Sequence, residues 1–152
     1  GQSHEERIDP EIRLGLSAFL PEDYVADPNQ RLVLYRKLAT AHDDAEIYQI
    51  EDELRDRYGK LPAAAELLLD VMTLRVLMKQ LRVELAEFDG YNLVFTFPAD
   101  TKVAPEHILA LLEDSKKYRF SPDYRLSIRL GRLSREAVLA AAKKELQAFC
   151  RL

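Results

Sequence analysis

Between residues 43 and 56 the chain sets Asp43, Asp44, Glu46, Glu51, Asp52, Glu53 and Asp56 against a single cation, Arg55. Paired carboxylates can share general acid and base work, but only in a cleft that gives the two groups different environments. A run of acids along one exposed helix offers neither condition. It reads either as a solvated face or as a docking surface for an arginine-rich partner, where complementary charge sets specificity and register. The opposite charge gathers between residues 115 and 135, where Lys116, Lys117, Arg119, Arg125, Arg129, Arg132 and Arg135 face only Asp123. These cations fit the polar side of strands. Interleaved with Tyr118, Phe120 and Tyr124, they also fit contact with a nucleic-acid backbone, with Lys116, Lys117, Arg125 and Arg129 as the candidate residues.

Other chemistry is not signalled. His4, His42 and His107 stand far apart and in no metal-ligand pattern, and the five glycines are scattered without a phosphate-cradling arrangement. Ser17, Ser121 and Ser134 lack a nucleophile-elbow setting, and Cys150, the sole cysteine, reads as a small residue buried near a helix end. No catalytic, metal-binding or cofactor-binding residue is expected.

The elements that must position these charges follow from period and punctuation. Ile12-Arg13-Leu14-Gly15-Leu16 alternates as a strand does. Leu20–Val25 is an extended arm, with Pro21 opposing helix and Tyr24 and Val25 turned to the core. Asp27 before Pro28 is an N-cap followed by proline at the first helical position, so a helix is expected over about 29–41, burying Leu32, Tyr35, Leu38 and Ala39. Asp43 or Asp44 caps a second helix over about 45–58, with Ile47, Ile50 and Leu54 inward and Glu46, Glu53 and Asp56 outward. Glu53 and Asp56 are i,i+3 neighbours on that face. Gly59 and Pro62 then end it. A third, very apolar helix is expected over 63–81.

After it the period falls to two. Val83, Leu85 and Phe88 lead into the turn dipeptide Asp89-Gly90, and Leu93, Phe95 and Phe97 return as the second half of a hairpin. A short helix over 105–115 buries Ile108, Leu109, Leu111 and Leu112. Tyr118–Phe120 and Arg125–Leu130 form two more strands. Ser134 caps a last helix, Arg135–Phe149, with Val138, Leu139, Ala142, Leu146 and Phe149 inward. The class is α+β, three N-terminal helices packed with a small, mostly antiparallel sheet and two further helices.

At 152 residues with 47% hydrophobic and 32% charged positions, the expected organisation is a single domain over 10–152, preceded by a tag remnant or frayed linker over 1–9 beginning Gly1-Gln2-Ser3-His4. No apolar run suits a membrane span. A lone cysteine suits a reducing, cytoplasmic setting. The net charge of −4 matters less than its segregation into an acidic and a basic surface.

Leu20-Pro21-Glu22-Asp23-Tyr24-Val25, Asp27, Arg31–Ala39 with its Arg-Leu-Val-Leu-Tyr-Arg-Lys-Leu-Ala order, and Asp56-Arg57-Tyr58-Gly59-Lys60-Leu61-Pro62 resemble the C-terminal domain of the bacterial transcription-repair coupling factors, the Mfd family. The resemblance covers about residues 10–150 and is most specific in the first half. It implies an excised regulatory domain of a larger ATP-driven DNA translocase that displaces stalled RNA polymerase and recruits UvrA, with the motor and the polymerase- and UvrA-binding modules elsewhere in the parent. The domain's implied role is non-catalytic: it docks on the UvrB-like module near the parent's N-terminus, covers the UvrA-binding surface and restrains the motor. On that reading Glu53 and Asp56 are central contacts, and Glu46 and Asp52 outer ones. UvrA, RNA polymerase and DNA are then indirect partners through the parent, with no membrane and no small-molecule ligand. The alternative is an accessory nucleic-acid-binding module using Lys116–Arg135.

Overall fold

The computed structural model describes residues 8–101 and 103–150, with only the backbone of Cys150; the readings of Gly1–His4 as a remnant and of Cys150 as buried lie outside the described residues. The chain forms two compact units, one of Gly15–Val76 and one of the segment through Leu14 together with Leu77 onward.

A first strand, β1 (Glu11–Arg13), is shorter than the alternation over 12–16 suggests. Gly15 takes φ +68°, a left-handed turn that ends the extended run. In the unit that follows, the arm turns back at Pro21, whose carbonyl accepts the Tyr24 and Val25 N–H groups at 3.0 Å each. Helix α1 (Pro28–Ala39) starts as expected: Asp27 is extended and its carboxylate accepts the Asn29 N–H at 2.9 Å, with Pro28 at the first position. Helix α2 (Asp44–Tyr58) is capped by Asp43, which accepts the Glu46 N–H at 2.9 Å, while the Glu46 carboxylate accepts the His42 N–H. Gly59, at φ +86°, ends it.

Leu34 and Leu38 of α1, Ile47, Ile50 and Leu54 of α2, and Leu61, Ala65, Leu68 and Leu69 form one apolar cluster with Leu20 and Val25 of the arm. The buried face of α1 is thus Leu34 and Leu38 with Tyr35 against them, and Leu32, expected inside, is 49% exposed beside Val33 at 43%. The arm is tied to this face as well: the Leu20 N–H donates to the Tyr35 hydroxyl at 2.7 Å. Tyr24 likewise fastens the arm, donating to the Gly59 carbonyl at 2.8 Å with its ring 5.8 Å from that of Tyr58.

Helix α3 (Ala63–Leu81) continues from this unit into the other. It ends in a Schellman turn: Arg82 takes φ +57°, its N–H donates to the Lys79 carbonyl, and the Val83 N–H donates to the Met78 carbonyl at 2.8 Å. Strands β2 (Leu85–Phe88) and β3 (Asn92–Thr96) form the expected hairpin about Asp89-Gly90. Helix α4 (Pro105–Leu112) follows, then β4 (Tyr118–Phe120), β5 (Arg125–Arg129) and α5 (Arg135–Cys150), whose Ala137 N–H donates to the capping Ser134 hydroxyl at 3.2 Å. In α4 only Ile108 is buried; Leu109, expected inside, is 64% exposed, because one residue on from Ile108 it points about 100° away from the face on which Leu111 and Leu112 are half-buried.

The described residues make one five-stranded sheet in the order β1-β2-β3-β5-β4, parallel between β1 and β2 and antiparallel elsewhere. This is the α+β class with the mostly antiparallel sheet that the sequence implies. The rungs Ala86↔Phe95, Phe95↔Leu126 and Leu93↔Ile128 put these side chains on one, buried face. Val138, Leu139, Ala142, Leu146 and Phe149 of α5 are all buried, and the Phe149 ring meets that of Phe97 edge-on at 6.5 Å. Alternation sends Glu87, Asn92, Ser127, Arg125, Arg129 and Arg119 to the other face.

Candidate functional site: an acidic helix and a basic sheet face

The seven acids of residues 43–56 are not equivalent once folded. Asp43 and Glu46 hold the N-terminus of α2, where carboxylates satisfy free N–H groups and complement the helix dipole. Glu51 pairs with Arg55 at 2.9 Å. Glu53 is bridged by Lys37 at 3.3 Å and by Arg57 at 3.2 Å, and the Arg57 guanidinium also lies 5.3 Å from the centre of the Tyr58 ring. Glu46 and Glu53 line a groove of about 460 Å³ with Lys37, Thr40, His42 and Gln49.

Asp52 and Asp56 differ from these. They sit one helical turn apart, both exposed, on the side of α2 opposite Ile47, Ile50 and Leu54, and neither has an ion pair among the described residues. Of the four candidate docking residues, the structure therefore brings together Glu46 and Glu53 in one groove and Asp52 and Asp56 on the outer surface. The outer pair carries the uncompensated charge.

The basic segment is sorted in the same way. The Lys117 ammonium turns toward Glu145 of α5 at 3.2 Å and lies 5.2 Å from the centre of the Tyr118 ring. Burial opposes its charge, but the hydrogen bond and attraction of Glu145 prevail and hold it above the ordinary lysine value. Burial, then the Glu145 hydrogen bond, push the Tyr118 phenol up as well; its hydroxyl donates to that carboxylate at 2.9 Å. Arg125 pairs with Asp123 at 3.5 Å. Lys116 and Arg129, by contrast, line a depression of about 600 Å³ on the open sheet face with Arg119, Asp89, Tyr91, Asn92, Ser127 and Lys117. Lys116, Arg119 and Arg129 have no ion pair among the described residues.

Arg119 was not among the sequence candidates. Its signal was the register: with Arg119 opposite Ser127, strand alternation places it on the face of Arg125 and Arg129, and only the β4–β5 pairing makes that visible. Among the described residues no group of His, Cys, Asp and Glu is arranged to hold a metal ion, and no helix is long and apolar enough to cross a membrane.

The fold is that of a solved structure described as the C-terminal domain of transcription-repair coupling factor, with a TM-score of 0.78 over 93% of this chain and 94% of that one at 17% identity. A family model described as TRCF domain matches residues 14–108. The transcription-repair-coupling factor of Myxococcus xanthus is 34% identical over 149 residues, 97% of this chain and 12% of the relative. Those of Rickettsia bellii (32% over 124 residues, 82% of this chain and 11% of the relative) and Escherichia coli K12 (33% over 117 residues, 76% and 10%) are similar to it as well. The chain belongs to the TRCF domain family, and it spans roughly a tenth of the length of these curated relatives.

Proposed function

We propose that this chain is the C-terminal regulatory domain of a larger ATP-driven DNA translocase of transcription-coupled repair, and that it is a docking module rather than a catalyst. The outer face of α2 meets an arginine-bearing surface on the UvrB-like module of the same parent, covers the surface that receives UvrA, and restrains the motor until RNA polymerase is engaged. The setting is cytoplasmic, and UvrA, polymerase and DNA are partners through the parent. The observation that carries this reading is the pair Asp52 and Asp56, unmatched among the described residues: every other acid of α2 except Asp44 has a partner within this unit, whereas these two present charge outward. Tethering within one chain supplies a millimolar-scale effective concentration, so a few such contacts suffice to hold a masked state that competition can open.

Replacing both, D52A/D56A, in the full-length parent is expected to raise UvrA binding and basal ATP hydrolysis roughly two- to tenfold, the worth of two partly exposed charge contacts. Unchanged values for both would overturn the reading. Glu53→Ala should act more weakly, because its charge is already shared with Lys37 and Arg57.

A further inference from the structure

We infer that the open face of the sheet at β4 and β5 binds single-stranded nucleic acid through its phosphate backbone. Three observations converge there. Lys116, Arg119 and Arg129 line one depression and carry no ion pair among the described residues. Arg119 and Arg129 stand diagonally across the β4–β5 pair, a separation of about 7–8 Å that lets them engage successive phosphates of one extended strand. The charge of the depression stays positive: its one carboxylate, Asp89, held in its own turn by the Tyr91 and Asn92 N–H groups at 2.9 and 2.7 Å, is outnumbered by these three cations.

The floor decides the class of partner. It is polar, made by Ser127 and Asn92, and lacks the apolar anchors on which a protein interface concentrates its binding energy. The one aromatic at the rim, Tyr91, is 48% exposed, and Arg132 holds it in place by donating Nε–H to its hydroxyl at 3.2 Å, with the guanidinium 5.8 Å from the ring centre. A fixed, exposed ring beside unpaired cations is a stacking platform for a base whose phosphates the cations hold. A duplex, with its bases already stacked, cannot use that ring. The surface and the α2 carboxylates belong to different units and use different residues, so this inference stands or falls independently of the docking role.

The test is fluorescence anisotropy of the whole 152-residue chain with labelled oligo-dT of about 12 nucleotides across a salt series. Three phosphate contacts predict a slope of log affinity against log salt of about −2. Charge reversal at the two arginines, R119E/R129E, should weaken binding about tenfold or more and flatten the slope, whereas R125A, which removes a cation already paired with Asp123, should stay within about twofold of the parent chain. Circular dichroism on each variant checks folding, and these exposed positions should leave it intact. The inference is overturned if the chain does not bind oligo-dT, if R119E/R129E binds as the parent does, if a duplex of equal length binds equally well, or if poly-glutamate displaces the oligonucleotide at equal charge.

Discussion

Asp89 shows how one side chain fixes a local structure. Its carboxylate accepts backbone N–H groups from Asn92 and Tyr91, in that order of effect, and this holds its pKa below the ordinary aspartate value. The charged form is thus favoured in the folded chain, so its contribution is complete above the unfolded pKa of about 3.9 and disappears as pH falls through the lower folded value. Asp89→Ala is expected to lower Tm at neutral pH, with the gap from the parent chain closing below about pH 4; carboxyl NMR titration of Asp89 in the parent should show a midpoint below 3.9. A gap independent of pH would assign the effect to the turn backbone alone. Single residues were also where sequence reading ran out. Glu53 and Asp56 look alike in the chain, but Lys37, distant in sequence, neutralises one of them. Lys117 and Arg129 look alike too, yet Glu145 takes the first. Charge type and local density are written in the sequence; which charges remain free is decided by residues far along it.

At the scale of elements, α2 divides its acids between making the helix and facing outward. Asp43 satisfies the Glu46 N–H that the first turn leaves open, while Glu46 accepts the His42 N–H just before the cap, so Asp43→Ala should cost about 1 kcal/mol in urea unfolding. D52A/D56A, which touches no cap, should leave stability within about 0.5 kcal/mol. The contrast separates a folding defect from a docking defect: a variant that changes UvrA binding in the parent without shifting the urea midpoint acts through contact. Helix ends were the most legible elements, because Asp27-Pro28, Asp43 and Ser134 each carry a cap in their own chemistry. The inner face of α1 was not, since apolar residues at 32, 33, 34, 35 and 38 support two helical stripes. Packing of Leu34 and Leu38 with Leu20 and Val25 of the arm and Ile47, Ile50 and Leu54 of α2 chooses between them, and no pattern local to α1 encodes that packing. Leu109 failed for a simpler reason: a helix turns about 100° per residue, which swings it off the face that Ile108, Leu111 and Leu112 share.

At the scale of the molecule, the two compact units share a helix. Residues 63–76 of α3 belong to one unit and Leu77–Leu81 to the other, and Leu77 and Met78 are buried. If the Gly15–Val76 unit unfolded alone, the remaining piece of α3 would be little more than one turn. Such a turn is unfavourable by itself, because nucleation fixes several residues for a single hydrogen bond. The sheet-bearing unit would then lose the helical frame that presents Leu77 and Met78. Opening one unit therefore carries a cost in the other, and the two should unfold in one transition. Leu54, fully buried in the cluster of the first unit, provides the test. Leu54→Ala should destabilise by about 2–5 kcal/mol. Under native conditions, amide exchange should then quicken by matching amounts in α2 and in the slowest amides of β3 and β5, which lie wholly in the other unit. Exchange that quickens only within residues 15–76 would show two independent folding units and refute the coupling.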